Sequence, residues 1–282
     1  MSLKGASPRF SFGRAASYVI LGLWAAFTLF VLGWVLLSSL KANRDIFRKA
    51  LSFPSALHFD NYIRALEAGS LGRYFFNSVI VTAISVLGLL WVSAPAAYVI
   101  SRFSFRGVRL ITTIFVLGMG IPYALVLIPL YKIMSGAGLT STYPGLVLVY
   151  VALSVPFCVY MLTGFFATIP KELEEAAIID GCSDFQIYSR IMRPLAQSGI
   201  VAAAIFNGIG IWNEYQLCLV FMNDESKRTL ALGLYSLQNA MEYTGDWAGL
   251  FAGAAIIMIP TIFLFLILSE KIISGITAGA LK

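Results

Sequence analysis

Six stretches of this chain run without a single Asp, Glu, Lys or Arg: residues 15–40, 74–101, 110–131, 133–170, 194–213 and 247–269. A helix of about 20 apolar residues crosses the roughly 30 Å hydrocarbon core of a bilayer. Within lipid every backbone N–H and C=O must be satisfied internally, so such segments cross as helices. The fourth stretch is interrupted by Ser135-Gly136-Ala137-Gly138 and by Ser141-Thr142-Tyr143-Pro144, which leaves one span from Pro144 to Phe166. Apolar character resumes after Glu214 and carries the fifth span to Met222. The pattern predicts an all-α membrane protein with six transmembrane helices, at about 15–40, 74–101, 110–132, 144–166, 199–222 and 248–269. Residues 1–14 and 271–282 form short tails on a transmembrane domain of 15–270.

Composition agrees. The chain is 59% apolar and 12% charged, against about 45–50% and 25% for soluble domains. The net charge of +6 sits between apolar runs, so it reads as membrane flanks rather than a nucleic-acid surface. Three scattered cysteines and one histidine make neither a disulfide framework nor a zinc site. The first run is longer than the 7–15 residues of a signal-peptide core and reads as a retained span. With the N-terminus inside, 11 of the 20 Lys and Arg face inward. Only the Arg102/Arg106/Arg109 cluster argues strongly for that side, so charge alone leaves the orientation open.

The segment between spans four and five, 168–196, is different. Pro170 suits a first helical turn, and Glu172, Glu174 and Glu175 suit a helix N-terminus. Gly181 suits the position just past a helix end. Ser183-Asp184-Phe185-Gln186 then reads as a capping box opening a second helix, which Pro194 prevents from continuing unbroken. Two short helices meet at a glycine corner, one side of it kept small by Ala176, Ala177, Gly181 and Cys182. The residues alone fit either a docking elbow or a solvated interfacial loop.

Glu175-Ala-Ala-Ile-Ile-Asp180-Gly181-Cys182, followed by Tyr188, Ile191, Pro194 and Leu195, resembles the EAA loop of ABC importer permeases. Cys182 stands where alanine is usual, Arg193 replaces a leucine, and Ser198 sits where a second proline often appears. Leu139-Thr-Ser-Thr-Tyr-Pro-Gly-Leu146 is similar to that family's signature before span four. Trp212-Asn213-Glu214-Tyr215 and Gly275-Ile-Thr277-Ala278-Gly279-Ala280 resemble segments of its carbohydrate branch, the six-span permease of maltose-type transporters. The resemblance implies a type I ABC importer permease fold with a cytoplasmic two-helix coupling loop and both termini cytoplasmic. It implies that Glu174, Glu175, Ala176, Ala177, Asp180, Gly181, Cys182 and Tyr188 couple to an ATPase, and that Thr277, Ala278 and Gly279 reach the ATPase interface. The partners implied are a homologous second permease, two ATPase subunits, an external solute-binding protein, a sugar and the bacterial or archaeal inner membrane.

The chain itself carries no ATP site of the usual kind. No Lys is followed by Ser or Thr, so the phosphate-binding loop is missing; ATP and Mg belong to the partner ATPase, and this chain needs no cofactor. The chain therefore reads as a transporter subunit rather than an enzyme. Glu214 is the one acid well inside a span, where acids face a cavity or a partner. Asn207 and Glu214 share a helix face, with Trp212, Asn213 and Tyr215 beside them. Two readings stand: a polar lining of the sugar path, or a tether from Glu214 to a neighbouring helix. Pro95, Pro122, Pro129 and Pro156 are expected to kink spans, and Gly118 and Gly120 to serve close packing. The loops 41–73 and 223–247 read as solvated connectors or as binding-protein contacts. A permease for a non-sugar solute, such as an amino acid or phosphate, and an ion-coupled secondary transporter remain the rival classes.

Overall fold

The computed structural model describes residues 12–68 and 70–280. Every regular element among them is helical. Among the described residues, three helices are long and apolar enough to cross a membrane: α1 (Phe12–Ser39), α4 (Leu71–Arg102) and α7 (Tyr143–Thr168). α2 (Asn43–Arg48) and α3 (Asp60–Ala68) lie between the first two.

The third expected span, 110–132, is not one helix. α5 (Val108–Met119) and α6 (Tyr123–Gly136) meet at 102°. The break falls at Gly120-Ile121-Pro122, where Pro122 is extended and takes no place in a helical ladder. The fifth expected span is also interrupted. α9 (Asp184–Leu195) bends by 72° into α10 (Gln197–Asn213). α10 ends at an extended Glu214, and α11 (Gln216–Phe221) follows. α12 (Leu230–Thr244) leads to α13 (Trp247–Ala280). α13 carries the last expected span and continues, still helical, through Thr277, Ala278 and Gly279, whose side chains lie outside the described residues.

α4 and α7 run side by side and form the most extensive helix contact. α10 packs on both and on α13, while α1 packs along α13. At one end of the bundle Leu89, Ala97, Cys158, Leu162 and Phe166 form a buried cluster with Ala177 and Ile187. We call this the elbow end. At the far end Val81, Leu146, Tyr150, Leu217 and Phe221 form a second cluster. Gly199 explains how closely α10 approaches α7: a Cβ there would stand 2.3 Å from the Phe165 ring. Gly118 lies against Pro156 in the same way, at 3.3 Å, whereas Gly120 has no other helix against it.

Polar side chains tie down parts of the 41–68 segment, most of which is exposed. Lys41 is buried and its Nζ donates to the carbonyls of Lys49 and Ala50 at 3.1 and 2.7 Å. Buried Asn61 donates to the carbonyls of Ser39 and Lys41 at 2.7 and 2.9 Å. Asn43 ties the segment to the start of α13 through Gly245 and Ala248.

Candidate functional site: the elbow and the broken helix

α8 (Glu172–Ile179) opens with three acids in its first turn, as sequence order requires. Pro170 precedes the helix instead of entering it, since Lys171 is the N-cap. At its far end Gly181 takes φ +77°, the left-handed conformation that glycine adopts without strain. The Gly181 N–H donates to the Ile178 carbonyl and the Cys182 N–H to the Ala177 carbonyl, both at 3.0 Å. This pair of bonds is a Schellman closure. Ser183 and Gln186 then exchange the two bonds of a capping box, at 2.9 and 3.4 Å.

α9 runs one residue past Pro194 before the 72° bend. Its middle, Ile187–Met192, is π-helical, and the Arg193 N–H reaches back to the Tyr188 carbonyl. Proline has no N–H to place in an α ladder, and the wider π turn before it lets the helix run on to Leu195.

The elbow has two faces. Ala177 and Ile187 are buried, and Glu174, Cys182 and Tyr188 turn partly inward. Glu175, Ala176, Asp180 and Gly181 face outward. Beside them Ile179 is 86% and Phe185 75% exposed, with Leu173 and Ile178 also uncovered. The outer face is thus apolar at its centre and acidic at its rim.

The inner face sits on the end of α4. The Tyr98 ring packs edge-on against Phe103 and Phe166, at 5.7 and 5.6 Å, and at a tilt against Tyr188 at 5.3 Å. Burial pushes the Tyr188 hydroxyl above its ordinary pKa, with Arg193 opposing. Arg102 donates through Nη2 to the Ile169 carbonyl, and its Nε lies 3.5 Å from Glu174 Oε1. A cleft of about 510 Å³ between α4 and α9 is lined by Pro95, Tyr98, Phe105, Asp184, Phe185 and Tyr188. Sequence reasoning missed Tyr98 and Arg102. Their i, i+4 spacing at the end of span two was the available signal, and Arg102 entered only as one charge among many.

The residues of the second candidate group are dispersed. Asn207 is buried and donates to its own helix at Ala203 O, 2.8 Å away. Trp212 is buried, with Nε1 donating to Ile257 O at 3.3 Å and its ring edge-on to Phe75. Asn213 is exposed and donates to Ile209 O at 2.9 Å. Glu214 Oε1 accepts from Leu217 N at 2.7 Å. Its Oε2 accepts from Cys218 N at 3.3 Å and from the Tyr150 hydroxyl at 2.9 Å. Glu214 therefore caps α11 and ties it to α7. Tyr215 stacks on Tyr235 at 4.9 Å, and the Tyr123 hydroxyl donates to Gln216 Oε1 at 2.9 Å. That last bond joins the two broken helices.

Comparison with known proteins points one way. A family model described as "Binding-protein-dependent transport system inner membrane component" matches residues 91–277. The chain is 34% identical over 268 residues to the diacetylchitobiose uptake system permease protein NgcG of Streptomyces coelicolor, covering 95% of this chain and 89% of that protein. It is 31% identical over 276 residues to the trehalose transport system permease protein SugB of Mycobacterium tuberculosis, covering 95% and 98%. Among solved structures it is similar to a chain of a bacterial ABC transporter involved in the import of the acidic polysaccharide alginate. The TM-score is 0.77 at 23% identity, over 95% of this chain and 99% of that one.

Proposed function

We propose, from the premise that this chain belongs to the family of binding-protein-dependent transport system inner membrane components, that its elbow is the site through which an ATPase drives sugar import. The chain is a permease subunit of an ABC importer and not itself an enzyme. The observation that carries the coupling role is the two-faced elbow. Its inner face is anchored on α4 and α7, while its outer face exposes Leu173, Ile178, Ile179 and Phe185. An exposed apolar patch rimmed by charge marks a protein interaction surface. Glu175, Ala176, Asp180 and Gly181 meet the ATPase; Glu174, Ala177, Cys182 and Tyr188 seat the elbow on the bundle.

The substrate class follows from relatives named for diacetylchitobiose and trehalose. A sugar reading is thereby favoured over an amino-acid or phosphate permease, and an ATP-driven importer over an ion-coupled transporter. The elbow and both termini face the cytoplasm, where ATP is. The chain pairs with a homologous permease, two ATPase subunits and an external binding protein. ATP closes the ATPase dimer, the elbow moves, and the helix bundle rocks between inward-open and outward-open states, each favoured by different contacts. Asn213 and Tyr215, exposed at the broken helix, border the sugar path, while Glu214 holds the break in shape. The helix through Thr277, Ala278 and Gly279 ends against the ATPase interface.

The test is purification of the chain from native membranes with mass spectrometry of what accompanies it. Recovery of an ATPase, a second permease and a solute-binding protein is expected, and the binding protein's ligand then identifies the sugar. Recovery alone or as a homodimer, from detergent shown to preserve membrane complexes, overturns the proposal.

A further inference from the structure

Arg102 occupies a position that the coupling motif does not include. It closes the last turn of α4, and its side chain is only 3% exposed. From there it addresses two other elements. Nη2 donates to the carbonyl of Ile169, the residue that ends α7. Nε faces Oε1 of Glu174, in the first turn of α8 and 16% exposed. One guanidinium thus bridges the ends of two long helices and the start of the elbow. Its planar fork of donors can meet two acceptors at once, which the single ammonium of lysine does less well.

The second bridge is not fully made. Arg102 Nε and Glu174 Oε1 are 3.5 Å apart, and both atoms are buried without a hydrogen bond. A charge-assisted N–H···O bond sits at about 2.7–2.9 Å. A buried donor and acceptor left unmade are costly and call for an explanation. A sub-ångström shift of α8 toward α4 closes the bond, and the reverse shift opens it further.

We propose that Arg102 is the positioning residue that passes displacement of the coupling elbow to α4 and α7, and that its contact with Glu174 tightens in one state of the transport cycle and loosens in the other. The inference rests on the coupling role proposed above. It adds a transmission element inside the bundle, away from the docking face. A purely structural anchor would instead keep the same geometry in both states.

The experiment uses the whole reconstituted importer: both permeases, the ATPases and the binding protein loaded with its sugar. Arg102→Gln, Arg102→Lys, Glu174→Gln and the double variant Arg102→Gln/Glu174→Gln are compared with wild type. The readout is sugar imported per ATP hydrolysed, with assembly checked by gel filtration. Arg102→Gln and Glu174→Gln are each expected to lower that ratio about tenfold, within the range of coupling free energies between sites. The double variant is expected to fall no further than either single one, because the two groups act as a unit. Arg102→Lys is expected to assemble and to give an intermediate ratio. An unchanged ratio in the assembled glutamine variants overturns the proposal, whether the two rates persist or fall together. So do losses that multiply in the double variant, or an Arg102→Lys importer that fails to assemble. Absence of ATP-driven sugar uptake by the wild-type complex would count against the proposed function and not against this inference.

Discussion

A carboxylate at a break between two apolar helices needs partners for two oxygens, and Glu214 has three: the N–H groups of Leu217 and Cys218 and the Tyr150 hydroxyl. Removing the side chain strands two backbone donors at the start of α11. Glu214→Ala is expected to destabilise the permease by about 1–3 kcal/mol, the cost of leaving buried polar groups unpaired, visible as a lower melting temperature of the purified complex. Uptake should fall less than in a variant of the elbow corner. Abolished uptake at an unchanged melting temperature would assign Glu214 to the sugar path instead. At the far end, Asp224 accepts from the Ser226 hydroxyl and N–H at 2.7 and 3.0 Å and pairs with Lys227 at 2.9 Å. The Ser226 hydroxyl, then Lys227 and then the Ser226 N–H hold its pKa down to about 2, below the roughly 3.9 of an unfolded Asp. A pKa lowered by folding adds stability that is complete above the unfolded value and lost as pH falls through the folded one. Replacing Asp224 by Asn should therefore remove a contribution present at about pH 7 and already fading below about pH 4, measurable as protease sensitivity of the 222–230 loop.

At the scale of the element, the elbow is a case in which local rules suffice. Its acids, its glycine corner and its capping box all act within a few residues, and all were legible in the sequence. Gly181 is the sharpest test. Its φ of +77° is closed to proline, whose φ is fixed near −65°. Gly181→Pro should leave the chain in the membrane yet abolish ATP-driven uptake, and normal uptake would refute the coupling role. Ala177→Asp places a charge in the buried seat beneath the same corner and should act likewise. The breaks were less legible. Pro194 does mark a break, though a π turn carries the helix one residue past it before the chain bends by 72°. A kink at Pro122 was legible but not its size: the apolar run around it reads as one span, and the two helices meet at 102°. Periodicity cannot separate a straight apolar helix from a bent one when both are apolar on every side.

Across the whole molecule, distant segments are joined by a few polar side chains in an apolar bundle. Asn77 on α4 donates to the carbonyls of Ser226 and Arg228 at 3.0 and 2.9 Å and accepts from the Tyr143 hydroxyl at 2.8 Å. It fastens the far-end loop to α4 and α7 together. Asn77→Leu should cost about 1–3 kcal/mol and release that loop to proteolysis at Lys227 or Arg228 while sparing the elbow end. Equal protection in variant and wild type would show that packing alone holds the loop.

The sequence by itself determined the class of protein, the presence of apolar spans and the architecture of the elbow. These follow from charge-free length in a bilayer and from capping chemistry, and both are local in the chain. Tertiary structure alone decided which residues the elbow rests on and where the polar side chains are spent. Arg102 and Glu174 are 72 positions apart, and Tyr150 and Glu214 are 64 apart. No periodicity links them. They meet only because α4, α7 and α10 pack side by side. In a bundle apolar inside and out, the hydrophobic pattern does not say which face of a helix points to protein and which to lipid.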